Sequence, residues 1–370
     1  MIVISTLLIL IYSLLLVGFC LVWWLNPENE HQPIISNNEA FSVIIVVRNE
    51  AKNIATLLES LVNQIDAIFE VILVDDSSED ATVEIAKAYL GLLDLKLIHL
   101  QAEERGYSPK KNAITKAIHA ANYDLIFCTD GDCILPPKLL SNYVKEFNNQ
   151  NIKFISGPVT FKENNSGFRR GFWNIIQVVE FASLVGSAAV SIFLNKPNMC
   201  SGANLAYRKS VFYEVNGYDG NHTLASGDDE FLMHKIHQKY LKGVSFVKNR
   251  NCIVQTDDCE SLGAFYQQRR RWASKWTHYK SLLPKLLAIF VFMVNLSSIY
   301  LIISGLWTLI GFRFLAEFIF LSSVLMFLGK QRTLFFIPLV QLIYPLYVVF
   351  FGLNSLFMKK TYQWKGRKLK

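Results

Sequence analysis

"IFCTDGDCILPP", residues 126–137, runs an apolar stretch straight into two aspartates one residue apart, followed closely by two prolines. A short apolar run bounded by turn residues is the pattern of a buried strand. Asp130 and Asp132 then stand at its carboxyl end. Two like charges so close repel each other unless a cation or a polar ligand sits between them. Working outward, "FSVIIVV" (41–47) and "FEVILVDD" (69–76) show the same design, a continuous β-branched run that closes on polar groups, and "LKLIHL" (95–100) supplies a further strand. Helical spacing fills the gaps: Ile54, Leu57, Leu58, Leu61 and Val62 share one face of "AKNIATLLESLVNQ". "SSEDATVEIAKAYL" offers Ser and Asp caps before a helix. "SPKKNAITKAIHAA" begins another with Pro109 in its first turn.

Strands alternating with helices predict an α/β domain with a mostly parallel sheet. Ligands of such sheets bind in the crevice beyond the carboxyl ends of the strands. Asn49 and Glu50 follow the first strand, Asp75 and Asp76 end the second, and Asp130 and Asp132 follow the fourth. Three strands thus deliver polar groups to one edge, which points to a site. Neither GxGxxG after the first strand nor GxxxxGKS is present, which disfavours a dinucleotide enzyme or a P-loop ATPase.

The flanks have a different composition. Of the 370 residues 52% are apolar and only 18% are charged, and residues 1–25 carry no charge at all. That run is long enough to cross a hydrocarbon core of about 30 Å, so 1–25 is expected to be an anchor helix, with Trp23 and Trp24 at its interface end. A second apolar block, 284–358, divides into Leu286–Gly311, Phe314–Gly329 and Thr333–Phe357. The middle piece is short and carries Glu317, so it is expected to be interfacial or re-entrant. Between the blocks, 33–283 has the composition of a soluble domain. The basic clusters "RRRWASKWTHYK" and "KKTYQWKGRKLK" contribute to a net charge of +7. Their juxtamembrane placement favours anionic headgroups over nucleic acid and puts the sheet domain and the tail 359–370 on the cytoplasmic side of a multi-pass inner or plasma membrane protein. The six cysteines show no paired or zinc-like spacing and are expected to be reduced thiols. The long apolar stretch 168–194 is interrupted by Gln177 and Glu180 and is expected to be a core or interfacial helix.

The order "SVIIVVRNE", "VILVDDSS", "CTDGD", "SGANLAYRK", "GDDEFL" and "QRRRW" over residues 40–280 resembles the GT-A-fold family 2 glycosyltransferases. The resemblance is to the membrane-bound branch that includes cellulose, hyaluronan and poly-N-acetylglucosamine synthases and ceramide-glucosyltransferase-like members. It implies an inverting hexosyl transfer from a nucleotide-diphosphate sugar, most simply a UDP-sugar, with Mg²⁺ or Mn²⁺. Asp130 and Asp132 form a DxD pair of hard oxygen ligands for that ion. The resemblance places Asn49, Glu50, Asp75 and Asp76 at the nucleoside, with Asp76 the stronger candidate for the base. Lys110 or Lys111, Asp130 and Arg271 are placed at the diphosphate. Asp229 is the expected general base. Gly202, Asn204, Asp228, Gln268 and Trp272 are placed at the acceptor sugars, Gln268, Arg271 and Trp272 forming a QxxRW motif. The remaining basic residues, Arg269, Arg270 and Lys275, together with Trp276, are expected to form a membrane-surface belt. The acceptor implied is a lipid or a growing glycan. The small number of apolar spans favours a single transfer to a lipid or lipid-linked acceptor, with processive polysaccharide synthesis as the alternative.

Overall fold

The computed structural model describes residues 1–28, 39–163, 167–222, 224, 226–273, 282–357, 362–364 and 367–369. Lys275 and Trp276, and much of the basic tail, lie outside the described residues. Two compact units emerge. One comprises Pro27–Lys162, Ser191–Asp257 and Trp364–Lys370, and the other comprises Met1–Asn26, Glu163–Val190 and Asp258–Gln363. Residues 163–190 and those from 258 onward, expected within the 33–283 domain, therefore group with the apolar helices.

The first unit is built on a seven-stranded sheet. Its strands are β1 (Phe41–Val47), β2 (Phe69–Asp75), β3 (Leu95–His99), β4 (Leu125–Asp130), β5 (Phe154–Ser156), β7 (Leu205–Arg208) and β8 (Val244–Phe246), in the order β3-β2-β1-β4-β7-β5-β8. β3, β2, β1 and β4 are mutually parallel, and β7 runs antiparallel between β4 and β5. A separate small parallel pair joins β6 (Val159–Phe161) to β9 (Val254–Thr256). Val43, Ile45, Val71, Ile72, Leu73 and Val74 are completely buried, which accounts for runs that are apolar on both faces. Each such side chain contributes about 1.5–3 kcal/mol.

Four helices of this unit frame the sheet. α2 (Ile54–Val62) buries Ile54, Leu57, Leu58 and Leu61, whereas Val62, expected on that face, is exposed. α3 (Thr82–Lys87) is a short helix, and the Asp80 carboxylate accepts from the Thr82 N–H at its start at 3.1 Å. α4 (Pro109–Ala120) starts on Pro109, as its missing N–H and fixed φ favour, and so presents Lys110 and Lys111 from its first turn. α5 (Leu139–Phe147) packs Tyr143 and Phe147 into the core.

The second unit is helical. α1 (Ile2–Leu25), α6 (Phe168–Phe193, whose last turn belongs to the sheet unit), α10 (Leu282–Ile303), α11 (Trp307–Phe327) and α12 (Ile337–Phe357) each contain a window long and apolar enough to cross a membrane. For α6 most of that window is buried in protein, 72% against 17% for α1. The middle tail segment differs from expectation, because α11 is a full 21-residue helix. The chain break is at Gly305, whose φ of +74° is a left-handed conformation suited to glycine. Gly311, read as the boundary, sits inside the helix with open space around it. Glu317 does not shorten the helix either, because Arg313 bonds it one turn earlier at 2.9 Å and both are buried.

Candidate active site

The predicted residues of the sheet unit gather at the carboxyl ends of the parallel strands, and the structure sorts those that face the crevice from those that build its walls. Beyond the short helix α7 (Lys209–Glu214), α8 (Glu230–Lys239) is capped by Asp229, whose carboxylate accepts from the Glu230 N–H at 2.8 Å. Its other oxygen accepts from the Gly202 N–H at 3.1 Å. Two backbone donors thus fix the orientation of this carboxylate. The Gly202 loop is itself tied to the fourth strand, because Thr129 Oγ1 donates to the Ala203 carbonyl at 2.9 Å.

Lys110 joins these parts. Its ammonium lies 2.8 Å from Asp130 and 3.2 Å from Asp228. Burial favours the neutral amine, but Asp130 and Asp228 outweigh it and raise the lysine pKa, so Lys110 carries its charge. Lys111 has a different task. It is 1% exposed and donates to the carbonyls of Asn221, Leu224 and Ser226, at 2.8, 2.8 and 3.1 Å. It therefore holds the loop that leads into Asp228 and Asp229. The two lysines, inseparable in sequence, divide into a site cation and a loop anchor.

Asp132 sits in a different environment from Asp130. Burial, and then the neighbouring carboxylates Asp130 and Asp257, push its carboxyl up to about 6. Acids crowded in this way repel one another, and positive charge placed between them would relieve that repulsion. Gly131 lets the pair approach the first strand, since a Cβ there would lie 2.9 Å from Glu50 Cγ and 3.0 Å from Val47 Cγ1. Among the described residues no cluster of three or more His, Cys, Asp or Glu side chains could enclose a metal by itself. The donor set fits an ion held by one or two carboxylates and completed by substrate phosphates, as Mg²⁺ commonly is.

At the second strand Asp76 is fully buried, 3.3 Å from the Arg105 guanidinium. Arg48 braces the same turn by donating to the Asp76 and Ser77 carbonyls at 2.9 and 2.7 Å. Neither arginine was singled out in sequence. Arg105 lies in a charged loop after the third strand, where pattern reading gives no direction. Asp75 accepts from the Ser78 N–H at 3.1 Å and faces His99 at 3.4 Å, so it shapes the turn. Asn49 adopts a left-handed φ of +53° and accepts from the Glu79 N–H at 2.8 Å. The Glu50 N–H donates to Thr82 Oγ1 at 2.8 Å, and its carbonyl starts α2.

Asn204 departs from expectation. It is fully buried, accepts from the Tyr143 hydroxyl at 2.6 Å and donates to the carbonyls of Pro158 and Cys252 at 2.8 and 2.9 Å. Its amide is occupied in stitching the sheet unit together and does not reach a sugar. Gln268, Arg271 and Trp272 lie on α9 (Leu262–Ala273), in the helical unit. Arg269, expected on a membrane-surface belt, is instead 3% exposed. It is paired with Glu180 across α6, with Nε 3.0 Å from Oε1.

Residues 42–215 match glycosyl transferase family 2. A poly-β-1,6-N-acetyl-D-glucosamine synthase of Staphylococcus epidermidis is 23% identical over 87% of this chain and 76% of its own. The synthase of that name from Staphylococcus aureus is 26% identical over 64% of this chain and 54% of its own. A mannosyltransferase of Pyrobaculum calidifontis, solved in complex with GDP-mannose and Mn²⁺, superimposes with a TM-score of 0.55 at 16% identity. That match covers 96% of this chain and 100% of that one, and it shows a shared fold. The sheet topology, the acids at its strand ends and this family match agree: the chain is a glycosyltransferase with a family 2 domain over residues 42–215 and the GT-A fold.

Proposed function

We propose that the protein is an inverting, membrane-embedded transferase that moves N-acetylglucosamine from its UDP ester to a growing glycan, with the sheet unit on the cytoplasmic side. The observation that carries this reading is the Lys110 bridge between Asp130 and Asp228, with Asp229 held beside it by the Gly202 and Glu230 N–H groups. The Lys110 ammonium engages Asp228, which supports Asp229, the residue the family resemblance assigns, as the base. An acceptor hydroxyl attacks the anomeric carbon and gives its proton to the Asp229 carboxylate. The bond from that carbon to the diphosphate oxygen breaks on the opposite face, which inverts the centre. Lys110 supplies positive charge to the departing diphosphate, a task the resemblance also implies for Arg271. Asp130 and Asp132 would hold Mg²⁺ or Mn²⁺, which supplies Lewis-acid neutralisation of that leaving group. Asp76 with Arg105 and the Asn49–Glu50 turn would border the nucleoside, and Trp272 and Gln268 the accepted sugar.

The similarity to poly-N-acetylglucosamine synthases over 87% of the chain moves the preferred acceptor from a lipid to a glycan. A single transfer to a membrane lipid is the second reading, favoured by the five apolar helices among the described residues, few for a chain that would also enclose a polymer channel. The test is transfer by the membrane-embedded protein with Mn²⁺ or Mg²⁺ from labelled UDP-N-acetylglucosamine, UDP-glucose and GDP-mannose. A water-soluble ladder from UDP-N-acetylglucosamine is the expected product. One discrete species in the organic phase would support the second reading, and no label transferred from any donor would overturn both.

A further inference from the structure

The polar residues that interrupt the apolar helix α6 form a single stripe. Arg170, Trp173, Asn174, Gln177 and Glu180 recur at helical spacing, and all of them engage the chain from Asp258 to Arg269 within the helical unit. The Asp258 carboxylate accepts from Arg170, from Asn174 Nδ2 at 3.0 Å and from Gln177 Nε2 at 3.2 Å. The Cys259 carbonyl accepts from Trp173 Nε1 at 2.8 Å and from Gln177 Nε2 at 3.1 Å, and the Cys259 N–H donates to Gln177 Oε1 at 2.9 Å. The stripe thus fixes both the chain direction and the depth at which α9 begins.

Its last member acts on α9 itself. Glu180 takes a two-pronged contact from Arg269, through Nε and Nη2. The third guanidinium nitrogen donates to Gln268 Oε1, which also receives the Cys259 thiol at 3.3 Å. The face of the same guanidinium lies 4.2 Å from the Trp272 ring and 4.4 Å from the Phe265 ring. On the far side of the pair, Tyr347 on α12 donates to Glu180 at 3.2 Å. One planar cation therefore sets the amide of Gln268 with its edge and the indole of Trp272 with its face. A lysine ammonium, a point charge without a plane, can do the first or the second but not both.

We propose that Glu180 and Arg269 are the positioning pair that presents Gln268 and Trp272 to the accepted sugar. Neither touches substrate, and the inference rests on the reading, given above, that Gln268 and Trp272 do. Ion pairs this deeply buried are poor sources of net stability compared with apolar residues of the same volume, so a role in orientation accounts for the pair better than a role in holding the unit together.

The experiment compares two fates of UDP-N-acetylglucosamine in the full-length protein in native membranes with Mn²⁺. One is label transferred to all products, aqueous and organic together, and the other is hydrolysis, in which water takes the acceptor's place. Arg269→Lys keeps the charge and loses the plane, and Glu180→Gln keeps the volume and loses the charge. Each is expected to raise the ratio of hydrolysis to transfer about tenfold, the scale of loss from a misplaced reactant, while hydrolysis itself holds. Either variant suffices should the other fail to fold. A ratio at the wild-type value, whether both rates hold or both fall together, would overturn the proposal. Gln268→Ala and Trp272→Ala separate the two levels. A raised ratio in these but not in the pair variants overturns the positioning role alone. An unchanged ratio in all four overturns the sugar-contact reading and the pair's role with it.

Discussion

The two units of this protein bury charge in opposite ways. In the helical unit, Arg313 bonds Glu317 at 2.9 Å and Asn295 at 2.9 Å, and also the Ser298 hydroxyl. Glu317 in turn accepts from Tyr12 at 3.0 Å and from Gln341 at 3.2 Å. Four helices contribute, and each charge meets its opposite. In the sheet unit, Asp130 and Asp228 share the Lys110 ammonium, Asp132 lies against Asp130 and Asp257, and Asp257 is 2.9 Å from Lys162; Asp130 and Asp257 are part-exposed. In the Arg313 cluster each charge is neutralised by its partner, which limits the cost of burying it, and removing one partner exposes that cost in full. Crowded acids at a part-exposed edge instead raise one another's pKa, as at Asp132, and a divalent cation would relieve that repulsion.

Mutations that touch the two clusters should therefore fail differently. The largest effect is expected from Asp229→Asn. Transfer should fall by about 10²–10⁴-fold, the usual contribution of a general base, with donor affinity retained in a binding titration. Lost donor affinity would move Asp229 into the nucleotide shell. Next is Arg313→Met, which leaves Glu317 buried without its partner and should cost about 3–5 kcal/mol of stability. Adding Glu317→Leu should restore most of it, as thermal unfolding in detergent would show. A double variant no better than the single one would deny that the pair is balanced.

A smaller effect sharpens the contrast through pH. The folded, metal-free protein holds the Asp132 proton more tightly than the unfolded chain does, because burial and two neighbouring acids raise its pKa to about 6 from the ordinary value near about 4. This group's contribution to stability is thus fully present below about pH 4 and is lost as the pH rises through about 6. Asp132→Asn has no such loss. Without metal it should melt above the wild type at pH 8, and the gap should close at pH 4. Melting curves that run parallel over that range would show that Asp132 is not under repulsion.

Much of the sheet unit was legible because its strands are uninterrupted β-branched runs that end on acids, a local signal that survives folding. The acids at those ends were legible for the same reason. Most of the failures share a cause, which is long-range pairing. Arg269 reads as one of three adjacent arginines beside a membrane block, and its partner Glu180 lies 89 residues earlier. Asn204 looks like a sugar ligand in a glycine-bearing loop until Pro158 and Cys252 are seen to occupy its amide. Lys110 and Lys111 are neighbours on one helical turn, and only the loop at 221–226 tells them apart. The length of α11 was misjudged because glycine breaks a helix by its φ, which sequence does not print: Gly305 is left-handed and Gly311 is not.

The most direct test of the central claim, that the crowded acids of the sheet unit receive a cation together with the donor while Asp229 takes the acceptor's proton, is Mn²⁺ binding by electron paramagnetic resonance with and without UDP. Wild type and Asp229→Asn should both bind Mn²⁺ more tightly when UDP is added, although only the wild type transfers sugar. Asp132→Ala should lose that enhancement. Unchanged UDP-dependent binding in Asp132→Ala, or its loss in Asp229→Asn, would contradict the account.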